Sequence, residues 1–247
     1  EQLSGVDVLV EGSAIAFVGA DIQVPEGARV IDCTSMIAFP GLVNLHHHFN
    51  QTLQRNVPVA QNLELFEWLT TLYEIWKGMT SEELRAAARL ACAELLLTGC
   101  TTTSDMMYLF PEKGGSELID AEIEAARELG IRFHPTRGSM SLGRSVGGLP
   151  PDGVVETPDR ILADSERLIE RYHDPEPFSM LRVALAPNAP FSVGDDLMRQ
   201  TAELARRHGV LLHTHLAETE DENAYCIERY GVRPLELMER LDWLGPD

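Results

Sequence analysis

The sequence predicts an α/β protein, a parallel sheet with helices outside that closes as a (β/α)8 barrel, and three observations carry this. From Pro40 onward, short apolar strand-like runs alternate with longer amphipathic stretches, the order expected of successive β-α units. The first of these strands leads into His46-His47-His48-Phe49-Asn50-Gln51. It does not lead into G-x-G-x-x-G or G-x-x-x-x-G-K, the phosphate loops by which an open doubly wound sheet is usually known. Polar, chemically active residues gather at the C-terminal ends of several strands, where barrels carry their sites.

Ahead of Pro40 the chain reads as a small β-rich lead-in. Val6–Val10, Ala14–Val18 and Ala28–Asp32 are strand-like, and Glu11-Gly12-Ser13 is a hairpin turn between the first two. Barrel strands are expected at Leu42–His48, Thr101–Asp105, Ile131–Arg137, Leu181–Ala186 and Val210–Leu216. Helix ends are written in capping chemistry. Thr80-Ser81-Glu82-Glu83 is a capping box with Thr80 as N-cap and Glu83 at N3, and Gly99 closes that helix. Thr157-Pro158 opens another helix with proline at N1. Helices over Ser116–Leu129 and Asp195–His208 are closed by Gly130 and Gly209. Residues 40–247 hold five strand-helix units of about 42 residues each, whereas eight would need roughly 330. The expectation is therefore a fragment covering the first five barrel units, whose last helical stretch, Arg233–Leu244, feeds a sixth strand beyond it.

Of the 247 residues, 39 are acidic and 20 are Lys or Arg, a formal net charge of −19. Such a chain is repelled by phosphate backbones and anionic lipid, so nucleic-acid and membrane-surface partners are disfavoured. No apolar run approaches the roughly 20 residues of a membrane span. Cys33, Cys92, Cys100 and Cys226 form no C-x-x-C pair, and we expect reduced thiols in a cytoplasmic protein.

Five of the eight histidines fall in two clusters, each at a predicted strand end. Side chains at i and i+2 of a strand share one face, so His46 and His48 point together and His47 points away. Two imidazoles on one face are spaced to grip a single metal ion. The second cluster is His213-Thr214-His215, with Glu218 three residues beyond His215 and able to reach back over the same mouth. The chemistry implied is hydrolysis. A divalent ion held by imidazoles lowers the pKa of its bound water to about 7, and a carboxylate beside it serves as proton acceptor and donor. His134, His173 and His208 have no such context, and the last two sit near helix C-termini, where histidine is locally favourable. Trp68, Tyr73 and Trp76 read as a packed helix face near the site, and Cys226 as core.

Pro40-Gly41-Leu42-Val43-Asn44-Leu45-His46-His47-His48 resembles the first-strand signature of the amidohydrolase superfamily. His215-Leu216-Ala217-Glu218-Thr219 resembles the fifth-strand H-x-x-E motif of its deaminase branch. Within that branch the chain is most similar to the 8-oxoguanine deaminases, with hydroxyatrazine and pterin aminohydrolases behind them. The extended matches are His46–Leu53, Leu95–Thr102, Thr136–Gly143 and Ala184–Pro187. The resemblance covers essentially the whole chain and implies an amidohydrolase-type barrel flanked by a small β-sandwich, residues 1–39 forming part of that sandwich and residues 40–247 barrel strands one to five. It implies one Zn²⁺, with Fe²⁺ as the other candidate, held by His46, His48 and His215. Glu218 is the implied proton shuttle, and Gln51 and Arg137 line the pocket for a purine-like ring. A guanidinium fork suits the carbonyl acceptors of such a ring.

Two departures from the family pattern matter. Its fourth metal-site histidine and its aspartate come from strands six and eight, beyond Asp247, so the chain alone is expected not to turn over substrate although the intact protein would. Asn188 stands where close relatives often carry cysteine, offering an amide instead of a thiol to the ring, and Met106-Met107 makes the adjacent wall more apolar. The reaction expected is hydrolysis of 8-oxoguanine to urate and ammonia, with a small heterocycle as ligand and a homo-oligomeric protein. The same-class alternative is a triazine, guanine or pterin aminohydrolase. The alternative of another class is a non-catalytic metal-binding fragment, for which Glu218→Gln changes nothing. The H-x-E with P-C-x-x-C pattern of the other zinc deaminases is absent.

Overall fold

A computed structural model describes residues 2–111 and 117–245. The chain divides into two compact units, Glu1–Pro40 with Glu176–Ser179, and Gly41–Pro175 with Met180–Asp247. The first contains an antiparallel hairpin of β1 (Asp7–Glu11) and β2 (Ala14–Gly19). The turn forms where Glu11-Gly12-Ser13 places it, with Gly12 at φ +60°. Ala28–Asp32 is not a strand. Its residues are exposed and make no ladder among the described residues. Val30 and Ile31 supply β-propensity, but without a neighbouring edge propensity alone does not build a strand.

The second unit is a half-barrel. Four parallel strands run in the order β3 (Leu42–Asn44), β4 (Cys100–Met107), β5 (Arg132–Ser139) and β6 (Ala184–Pro187). The helices are α1 (Leu65–Trp76), α2 (Ser81–Leu97), α3 (Glu117–Leu129), α4 (Pro158–Tyr172), α5 (Asp195–His208), α6 (Glu220–Tyr230) and α7 (Pro234–Arg240). No described helix is long and apolar enough to cross a membrane.

Helix ends follow their caps. The Thr80 hydroxyl accepts the Glu83 N–H at 3.3 Å, and Glu83 accepts the Thr80 N–H at 2.9 Å, closing the box at the start of α2. Thr157 occupies the N-cap of α4, but its side chain makes no capping bond. Gly209 takes the left-handed conformation that ends α5. Ser116, the expected start of α3, lies outside the described residues. The last helix is shorter than Arg233–Leu244, because the chain leaves helical geometry at Leu241 and turns left-handed at Asp242.

Strand ends shift for a different reason. The first barrel strand pairs with β4 only as far as Asn44, although Met106 still donates to the His47 carbonyl at 2.8 Å. Ladder bonds from Leu185 to the Leu211 carbonyl and from His213 to the Leu185 carbonyl hold 211–213 beside β6. That segment forms a single bridge at Leu212 instead of the expected strand Val210–Leu216. The core lies between sheet and helices. Tyr73, Trp76, Leu84, Phe133 and Leu185 are buried there, and Phe49 stacks on Phe133 at 5.5 Å. Each such side chain contributes about 1.5–3 kcal/mol of burial free energy, which fixes the platform on which the histidines stand.

Candidate metal centre

His46, His48 and His215 come together at the C-terminal end of the sheet, each offering a ring nitrogen, with these atoms within 4.8 Å of one another. His48 and His215 are oriented by carbonyl groups. His48 Nδ1 donates to the Met106 carbonyl at 2.9 Å, and His215 Nδ1 donates to the Asn188 carbonyl at 3.0 Å and Asn188 Oδ1 at 3.1 Å. With the proton on Nδ1, each ring turns an unprotonated Nε2 inward. His48 Nε2 lies 3.2 Å from His215 Nε2 and 3.2 Å from His46 Nε2. Facing lone pairs repel unless a cation lies between them. Two nitrogens bound to one tetrahedral zinc at about 2.0–2.1 Å are about 3.3 Å apart, so the donor set fits a single such ion.

Electrostatics agree with neutral ligands. Burial, aided by the neighbouring imidazoles, pushes His48 down to about 3 and His215 to about 4, and burial lowers His46 as well. His213, in the sequence cluster but given no role there, places Nε2 2.8 Å from His46 Nδ1. It stands toward His46 as the carbonyls stand toward the other two rings, an arrangement that commonly fixes a ligand's orientation. The period-two spacing from His215 was the signal for it.

Glu218 is exposed, and burial of part of its surface together with the carboxylate of Glu222 raises its pKa. It lies close enough to Tyr108 to help raise that phenol's pKa, after burial. The Tyr108 ring meets His48 edge-on at 5.3 Å and His215 at 6.1 Å. Tyr108 thus stands against two of the candidate ligands, and the sequence reading did not single it out. Its signal was its place two residues beyond Met106.

The other candidates separate. Gln51 faces Tyr108 and lines a cavity of about 480 Å³ with His47, His48, Trp68 and Trp76. Arg137 does not reach that cavity. It is 1% exposed, donates to Asp164 at 2.6 Å, to Glu156 at 2.9 Å and to the Gly138 carbonyl, and lies over the Phe110 ring at 3.6 Å. Two carboxylates take the fork expected to meet the ring. Asn188 is also buried, its Oδ1 on His215 and its Nδ2 donating to Ser192 Oγ at 3.0 Å, so both ends of the amide are occupied by the protein.

Behind the histidines lies a carboxyl pair. Asp105 Oδ1 accepts the Phe49 N–H at 2.6 Å and stands 3.9 Å from His47 Nδ1. Glu122 is its buried carboxyl neighbour, and burial holds both groups above the ordinary carboxylate range.

This geometry belongs to a known family. Residues 37–246 match the Amidohydrolase family, and the chain belongs to it. The chain is 48% identical over 241 residues to 8-oxoguanine deaminase from Pseudomonas aeruginosa, covering 97% of this chain and 53% of that protein. It is 37% identical over 256 residues to hydroxydechloroatrazine ethylaminohydrolase from Pseudomonas sp. strain ADP, covering 99% and 53%. Among solved structures, atrazine chlorohydrolase from Arthrobacter aurescens TC1 complexed with zinc superposes with a TM-score of 0.91 at 36% identity, covering 96% of this chain and 54% of that one. The chain spans about half the length of the curated relatives it matches.

Proposed function

We propose that the protein carrying this chain is a metal-dependent aminohydrolase of a planar aminated heterocycle, with 8-oxoguanine as the substrate of first choice. The convergence of His46, His48 and His215 on one point carries this reading. The similarity to a deaminase of that substrate supports the choice of ring. His46, His48 and His215 hold the ion, zinc before iron, and when bound it acts as a Lewis acid that acidifies water at neutral pH. Residues 1–39 belong to a small β-sandwich and residues 40–247 to the hydrolase barrel.

The chain's own groups do the rest. The carboxylate of Glu218 accepts the proton of the attacking water and delivers it to the departing nitrogen. A C–O bond forms at the ring carbon as the C–N bond breaks, so 8-oxoguanine and water become urate and ammonia. A raised Glu218 pKa suits a group that must both take and give a proton. Gln51 hydrogen-bonds the ring, while Trp68 and Trp76 wall the cavity, whose volume falls within the roughly 300–1,000 Å³ usual for small-molecule sites. Arg137 and Asn188 act through the scaffold and the His215 ring.

The test is release of ammonia from 8-oxoguanine, guanine and isoxanthopterin, and of ethylamine from hydroxyatrazine, by the zinc-loaded protein in its natural length. Turnover of 8-oxoguanine supports the narrow reading. Turnover of another ring keeps the chemistry and changes the substrate. No turnover of any ring by protein with metal bound sinks the enzyme reading.

A further inference from the structure

Between His215 and Glu218 the backbone does something an alanine rarely does. His215 is tied to the residue that follows β6 through its N–H to the Asn188 carbonyl at 3.0 Å. Two residues later Ala217 is left-handed at φ +54°. That conformation costs an L-residue with a Cβ roughly 1–2 kcal/mol, and such outliers persist only where surrounding groups over-determine them. The next residue is Glu218, whose charge helps raise the pKa of Tyr108, after burial.

The group that holds this turn sits one helical turn further on. Glu222 is the third residue of α6 and its side chain is buried. Its Oε2 accepts the Glu218 N–H at 2.7 Å. Thr219 occupies the N-cap, yet its hydroxyl makes no capping bond and has no partner among the described residues. The usual cap is therefore replaced by a carboxylate that reaches past the N-cap to the residue before it. A buried carboxylate is expensive unless hydrogen-bonded, and this one is spent on the backbone of the proton-shuttle candidate itself.

We propose that Glu222 is a positioning residue, whose carboxylate clamps the left-handed turn at Ala217 and so fixes where the Glu218 carboxyl stands. This rests on the role of Glu218 proposed above. A carboxyl displaced by about 1 Å can cost on the order of 100-fold in rate, whereas ring binding and metal binding use other residues. Loss of the clamp is read in kcat and spares KM and zinc content.

The experiment uses the zinc-loaded protein in its natural length, with whichever ring of the panel above it turns over fastest. Glu222→Ala is expected to lower kcat about 10- to 100-fold, with KM and zinc stoichiometry within about twofold of wild type. Glu222→Gln, which keeps one acceptor for the Glu218 N–H, is expected to recover kcat to within about threefold of wild type. If the alanine variant does not fold, Glu222→Met fills the same space without an acceptor and takes its place. Wild-type kcat in the alanine or methionine variant overturns the clamp, as does a glutamine variant no better than alanine. Glu218→Gln is run alongside. Wild-type turnover in that variant overturns the parent reading, and the clamp with it. An inactive Glu218→Gln beside a fully active Glu222→Ala overturns the clamp alone.

Discussion

His48 Nε2 and His215 Nε2 stand 3.2 Å apart across 167 residues of chain, each ring turned inward by a carbonyl on its own Nδ1. Neither ring has a proton to place between them in the neutral state, so the pair is a site prepared for a cation. One equivalent of zinc is expected to bind, and at a free concentration 100 times Kd it stabilises the fold by about 2.7 kcal/mol. Thermal unfolding with and without zinc reads this directly. His48→Ala removes the effect, while His134→Ala, outside the cluster, leaves it. Equal stabilisation of the His48 variant would place the ion elsewhere.

The groups behind the rings set how tightly the ion is held. Asn188 supplies both a carbonyl and an amide oxygen to His215, and His213 faces His46 at 2.8 Å. Loss of such partners typically weakens metal binding 10- to 100-fold. Asn188→Ala keeps the backbone acceptor, so its loss is expected near tenfold, and His213→Ala is expected to cost at least as much. Competition against a chromophoric zinc chelator measures both. An unchanged affinity in the asparagine variant would return Asn188 to the role of ring contact, and KM would then carry the change.

Arg137 is a second residue whose partners decide its job. Replacing it with Met takes from Asp164 and Glu156 their buried cation and leaves each a single, partly exposed arginine, Arg167 at 2.7 Å and Arg160 at 3.3 Å, so the loss is expected at or below about 3 kcal/mol, the lower end for breaking a buried pair. Urea unfolding of Arg137→Met should show that loss, and the folded fraction should keep the wild-type KM. A stable variant with a greatly raised KM would mean that the guanidinium meets substrate after all.

The close approach of two strands gives a stability prediction of another kind. A Cβ at Gly138 would meet the Met107 carbonyl and lie 2.6 Å from the Tyr108 Cα. Both are backbone atoms and cannot swing aside. Gly138→Ala is expected to cost about 1–3 kcal/mol, the range for overpacking a tight core. A midpoint of denaturation equal to wild type would show that β4 and β5 separate easily at this level.

Much of this was legible in the sequence, and what was not has a common cause. Caps are local, so Thr80, Glu83 and Gly209 marked helix ends that the structure keeps. The His46-x-His48 alternation and the His215-x-x-Glu218 spacing are local too, and the three rings do converge. Ladders are not local, which is why Leu42–His48 pairs only to Asn44 and Ala28–Asp32 pairs with nothing described. Partners are least local of all. Arg137 meets Asp164, 27 residues away, and no pattern around Arg137 announces it.

The buried pair of Asp105 and Glu122 gives the protein a pH dependence whose sign can be worked out. Both carboxyls are held above the ordinary range by burial, Asp105 at about 7 and Glu122 well above its usual value. In the unfolded chain both ionise near pH 4. Between about pH 4 and pH 7 the folded state therefore binds more protons than the unfolded state, and stability falls as pH rises. The slope is about 1.4 kcal/mol per pH unit for each proton retained. Glu122→Gln keeps a hydrogen-bond donor toward Asp105 but removes one titrating proton from this balance. The variant is expected to gain on wild type as pH rises from 5 to 8, and urea midpoints across that range measure the gain. A constant difference between the two proteins would mean that Glu122 ionises normally, and the support beneath the Phe49 N–H would then be Asp105 alone.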